Sequence, residues 1–364
     1  MLLALGPAFP LQAQKPAARV PTSPGEVIER LPRGYASIEA RPSQAAPTIE
    51  SIEAMLSAAA RNGDSRIAYR AEADLARLPA GPYAPRVAKA RAYAAQHRHD
   101  FGKATALLED VIRRDGRDAG ARLALAQILL VQGDIARAKA QCLTMALGVD
   151  AENGALCIAA WALRTGAYGR VRAILDDWLA QSGPRNPARG YALLMRAEAA
   201  SRAGAPDADR LYREALAAAP GDVAPIAAYA RHLRSIGRHR DAVLLLAASP
   251  DTDGLRLQLA LSAQALRLPQ AKGLIASQQR RYALSRSLEQ APEPRDEAEL
   301  MLATGNALGA LSVAEHNFET QRDYEDVLIL QRAATAAGQP ERLAGLLAWA
   351  KSQGLKVDSR DRPR

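Results

Sequence analysis

Cysteine and histidine are the side chains best suited to covalent or metal chemistry, and this sequence holds two and five of them in 364 residues. Cys142 and Cys157 are fifteen positions apart, and the midpoint of the pair falls in "GVDAE" (Gly148–Glu152), which reads as a turn. If the segments on either side are antiparallel helices, residues equidistant from that turn lie opposite one another, within the short Cα–Cα distance a disulfide needs. A bridge closing a loop of that length contributes about 3 kcal/mol in the chain-entropy description, and it persists in oxidising compartments. Two buried free thiols are the alternative. His97 and His99 in "HRH" would need metal ligands from elsewhere, and His232, His239 and His316 lie apart. With no third or fourth soft ligand near the cysteines, no metal role is expected. No glycine-rich phosphate loop, H-E-x-x-H or G-x-S-x-G occurs. Asp176–Asp177 sits among Leu and Trp on a helical pattern and reads as a solvated face. Neither catalysis nor a cofactor is expected.

The elements that would position these residues are helices. Hydrophobic residues make up 48% of the chain but aromatics only 4%. The apolar content is mostly Ala and Leu, the strongest helix formers. No alternating run of Val, Ile, Thr or Tyr suggests a strand. Glycines recur in one setting, just after a helical pattern: Gly133, Gly166, Gly204, Gly237, Gly305 and Gly338, spaced 33, 38, 33, 68 and 33 residues apart. The 38 contains the insertion "AQSGPRNPA" (Ala180–Ala188). The 68 spans two periods, with Asp251–Leu288 as a diverged copy that lacks the glycine. Earlier copies read from Ile49–Leu78, with Gly63 at the turn, and from Arg98–Gly116, with His99 where glycine would stand.

Small residues keep the same phase. Ala126, Ala159, Ala197 and Ala298 fall in first helices, and Ala104, Ala138, Ala208, Ala242 and Ala310 in second helices. Two helices joined by about three residues pack closely only where small side chains let the backbones approach. A glycine past the first helix reverses the chain in the left-handed conformation without steric penalty. Leu125, Leu129, Leu175, Leu211 and Leu246 are expected to fill the space between copies.

A period near 34 with these small positions resembles the tetratricopeptide repeat. "DADRLYREALAAAPGD" (Asp207–Asp222) is similar to that family's second helix, and Pro220 stands at its expected proline. The ending "AEHNFETQRDYEDVLILQRAATAAGQPERLAGLLAW" (Ala314–Trp349) further resembles uncharacterised exported bacterial members. The resemblance implies an all-α, right-handed α-solenoid of about eight helix-turn-helix repeats over residues 49–354, which binds a peptide or protein along the groove formed by its first helices. Carried over by repeat position, the groove residues are Arg86, Lys89, Tyr93, Gln127, Leu130, Arg164, Tyr191, Arg202, Arg231 and Arg234. Scattered arginines on an apolar wall suit an acidic or amphipathic segment. The family's clamp for chaperone tails does not carry over: Lys89 matches it, but Tyr93 stands where Asn is needed, and Gly120 and Ala124 fill two further positions.

Residues 1–13 are apolar and end on "LQA", which reads as a signal peptide, short or begun further upstream. Residues 14–48 form a proline-rich arm, in which Gly25–Leu31 suits a turn or two of helix. Residues 355–364 form a charged tail. No run is long enough to span a membrane. Export to the periplasm is the expectation, and the cytoplasm the alternative. The net charge of +9 admits a second reading, a basic solenoid that binds a polyanion or single-stranded nucleic acid. Such binding needs aromatic platforms for base stacking, and few aromatics fall on the groove. The first reading is a non-enzymatic scaffold with a protein or peptide partner and no small-molecule substrate.

Overall fold

The computed structural model describes residues 46–78, 84–287 and 292–355. The expected signal peptide, most of the proline-rich arm and residues 356–364 of the tail lie outside them. Eight helix pairs follow one another. The first four are α1 (Ile49–Asn62) with α2 (Ser65–Arg77), α3 (Pro85–His97) with α4 (Phe101–Arg114), α5 (Ala119–Gln132) with α6 (Ile135–Thr144), and α7 (Ala151–Arg164) with α8 (Tyr168–Gln181). The next four are α9 (Arg189–Arg202) with α10 (Ala208–Ala218), α11 (Val223–Ser235) with α12 (His239–Ala247), α13 (Asp253–Ala265) with α14 (Ala271–Ser287), and α15 (Pro294–Ala303) with α16 (Ala307–Thr320). A ninth pair, α17 (Tyr324–Ala336) and α18 (Ala344–Ser352), is less regular, because the 3-10 turn Pro340–Leu343 intervenes. The described residues contain no strand. The fold is an all-α solenoid.

Local chemistry sets the helix starts. Asp100, Asp118, Asp134 and Asp150 each stand just before a helix, and each carboxylate accepts a hydrogen bond from a first-turn amide. Those amides have no partner within their own helix. The turn inside each pair holds one residue at positive φ. Glycine takes that place in seven pairs, while His99 (φ 58°) and Arg267 (φ 54°) take it in the other two. An L-residue there carries a penalty of about 1–2 kcal/mol. Packing of the hairpin overrides it, which is how a copy without the glycine keeps the repeat geometry.

The in-phase alanines are buried: Ala104, Ala126, Ala138, Ala159, Ala197, Ala242, Ala298 and Ala310 have no exposed surface. The leucines expected between copies are buried with them. The core is a row of apolar clusters, one handing on to the next from α1 through α18. Each hairpin thus relies on its neighbours, as a stacked array requires.

Cys142 and Cys157 form a disulfide, with their Cα atoms 5.1 Å apart. It lies buried against Ala126 and Met145. The link between α6 and α7 is a turn of π-helix, Met145–Val149. This turn lies so close to α7 that a Cβ on Gly154 would come within 2.4 Å of the Ala146 backbone. Glycine is therefore required at 154.

Candidate functional site

The residues expected to line a groove fall into three groups. Arg86 on α3 ion-pairs with Glu50 and Glu53 of α1, at 2.8 and 2.5 Å. Lys89 lies 2.7 Å from Asp118, the carboxylate that caps α5. Tyr93 is among the exposed large side chains. This end of the first-helix face is open and locally neutralised. Leu130 is only 3% exposed and belongs to the core between α5 and its neighbours, so it offers a partner little surface.

The second group converges. Gln127 reaches the Tyr191 hydroxyl, and Tyr191 in turn lies within the fields of Arg164 and Glu198. Arg164 and Arg202 end α7 and α9. Both point at the first turn of α17, where Arg164 pairs with Asp323. The Arg202 guanidinium lies 3.4 Å from Glu325 and 3.7 Å from Glu198. It also stacks over the Tyr324 ring, 4.2 Å from its centroid. Burial acts to raise the Glu325 carboxyl, but Arg202, Arg231, Arg295 and Arg164 outweigh it and hold the group well below the usual carboxylate range. Glu325 therefore stays ionised, held by a ring of cations.

The third group centres on Glu299 of α15. Arg234 and Arg332 meet this carboxylate at 2.9 and 3.1 Å. Against the opposing effect of burial, the two arginines bring it down to about 2. Nearby, burial pushes Asp296 up to about 6, with Glu293 and Glu299 adding to the rise and Arg295 opposing it.

The acidic members of this site, Asp323, Glu325 and Glu299, were not assigned by repeat position. Repeat register marks the face of a first helix but not what lies across the groove from it. The available signal was charge: "RDYED" (Arg322–Asp326) is an acidic run in a basic chain.

The close of the chain reaches the early hairpins at further points. The Arg322 amide donates to the Val131 carbonyl at 2.7 Å. Trp349 Nε1 donates to the Gly133 carbonyl at 3.3 Å. The His99 ring lies between Gln321 and Glu293. Among the described residues no group of three or more His, Cys, Asp or Glu is placed to hold a metal ion, and no helix is long and apolar enough to cross a membrane.

A tetratricopeptide-repeat family model matches residues 95–148, which span α4, α5 and α6. The protein's fold is similar to that of a tetratricopeptide repeat protein from Parabacteroides merdae, at 12% identity and a TM-score of 0.41, over 78% of this chain and 98% of that one. It is also similar to yeast Tom70, at 15% identity and a TM-score of 0.39, over 84% of this chain and 82% of that one. No curated protein matches the sequence.

Proposed function

We propose that the protein is a non-enzymatic interaction scaffold of the cell envelope. Its partner is a protein segment bearing carboxylates, received on the first-helix face by Gln127, Arg164, Tyr191, Arg202 and Arg231. The observation that carries this reading is the pairing of Arg164 with Asp323 and of Arg202 with Glu325 at the start of α17. Side-chain carboxylates of a polypeptide fit these guanidinium groups one to one, as paired hydrogen-bond donors and acceptors do. A polyanion would instead call for unpaired cations along a continuous track and for aromatic platforms. The aromatics assigned to this face are Tyr93 and Tyr191, too few to form a stacking track. The envelope assignment rests on the Cys142–Cys157 disulfide, a bond characteristic of oxidising compartments.

Two measurements test the reading. The intact, unreduced mass of protein from fractionated cells should show a periplasmic species two hydrogens lighter than the dithiol. A reduced cytosolic species would overturn the envelope assignment. A photoreactive residue at position 191, 40% exposed in the native protein, should form a protein adduct in cells that Arg164→Gln with Arg202→Gln removes. Adducts sensitive to nuclease, or insensitive to the two arginines, would overturn the groove reading.

A further inference from the structure

The ninth hairpin meets the third, fourth and fifth through a surface unlike the contacts between neighbouring hairpins. Neighbours share apolar clusters, whereas the apolar side chains of α15 to α18 form a cluster separate from the one that runs through α3 to α9. Between those two bodies lie polar contacts. The Arg322 amide and guanidinium donate to the carbonyls of Val131 and Gln132. Asp323 is paired with Arg164, Glu325 with Arg202, and Tyr324 lies under the Arg202 guanidinium. Leu355 and Trp349 add apolar contacts at the edge. Hydrogen bonds and ion pairs of this kind exchange for equivalent ones with small net change, whereas leaving one partner buried and unpaired is expensive.

The inference rests on the groove reading above. We propose that Asp323, Tyr324 and Glu325 are an intramolecular occupant of the arginine face, and that the protein partner carries the same chemistry, an aromatic side chain between two carboxylates on one short segment. Charge balance argues for that partner. Arg164, Arg202, Arg231 and Arg295 face Glu198, Asp323, Glu325 and Asp326 across the site. Departure of the α17 turn removes three of the four carboxylates and leaves the arginines largely uncompensated. A neutral or basic segment cannot restore the balance, while an acidic one can. Tyr324 shows where the partner's ring would lie, stacked on Arg202. Binding is then a displacement, and its apparent strength is reduced by the small fraction of molecules in which the α17 turn is released.

The test uses the full chain and a fluorescently labelled peptide with the sequence of residues 321–332, QRDYEDVLILQR. In Asp323→Asn with Glu325→Gln the occupant loses both charges, and Asn still caps α17. This variant should bind the peptide about tenfold or more tightly than wild type, and amide exchange in the first two turns of α17 should accelerate while that of α5 and α7 stays the same. If the substitutions impair folding, saturating peptide added to wild type should produce the same local acceleration by competition. Unchanged affinity together with unchanged α17 exchange would overturn the self-occupancy and leave the groove reading standing. Accelerated exchange with peptide binding that survives Arg164→Gln and Arg202→Gln would overturn the groove reading, and with it the assigned partner chemistry. Arginine-dependent binding with accelerated exchange supports both.

Discussion

Gly133 and Gly166 occupy the same place in successive repeats and have nearly the same backbone, φ 77° and 75°. Their surroundings differ. A Cβ on Gly166 meets nothing within 4 Å, whereas a Cβ on Gly133 would lie 2.7 Å from Trp349 Cζ2 and 2.9 Å from Cε2 and Nε1. Both Gly→Ala changes carry the left-handed penalty of about 1–2 kcal/mol. Only Gly133→Ala must also push the indole aside. That ring donates to the Gly133 carbonyl, stands edge-on to Phe318 with centroids 5.5 Å apart, and lies beneath the Arg322 guanidinium. It belongs to α18, so it can move only by disturbing the docking of the last hairpin. Overpacking of this kind costs about 1–3 kcal/mol. Gly133→Ala should therefore destabilise by about 1–3 kcal/mol more than Gly166→Ala in urea unfolding followed by circular dichroism. In a Trp349→Ala background the two substitutions should become equivalent, since the coupling belongs to one contacting pair. Equal losses in the wild-type background, or a difference that persists without the indole, would refute the claim that the last helix is docked on the third hairpin.

The partly buried Asp296 gives a pH-dependent prediction. Its folded value, near 6, lies above the ordinary 3.8, so the folded state holds the proton more tightly. The resulting stabilisation is complete below about pH 4 and lost as pH rises through 6, up to about 3 kcal/mol. Asp296→Asn should match wild type at pH 4 and exceed it at pH 7.5; coincident curves of denaturation midpoint against pH would contradict this. Glu299, held near 2, acts in the opposite sense, losing its contribution as pH falls from 4.5 towards 2. Cys142→Ala with Cys157→Ala should lower stability by about 3 kcal/mol through the lost loop constraint, measured against wild type in calorimetry without reductant. Ala138→Leu, at a position with no exposed surface, should destabilise by about 1–3 kcal/mol through overpacking. An unchanged melting temperature would place Ala138 outside the helix crossing.

The sequence by itself determined the repeat. Gly133, Ala126 and Ala138 recur in phase because a tight turn and a close helix crossing are local demands, met within some thirty residues whatever the rest of the chain does. The disulfide was legible for the same reason: Cys142 and Cys157 flank one turn, and helix geometry brings them together. The first-helix residues assigned to a groove came from the resemblance to the repeat family. What lies across from them was not legible. Arg164 lies 159 residues from Asp323, and Arg202 lies 123 from Glu325. Those pairings depend on the small rotation between successive hairpins, summed over several repeats, and no local pattern encodes that sum. The left-handed backbone of His99 and Arg267 was decided in the same way, by the packing of whole hairpins against residues that do not favour it. Only the tertiary structure shows that Gly133 makes the turn of its own repeat and also supports the indole of the last.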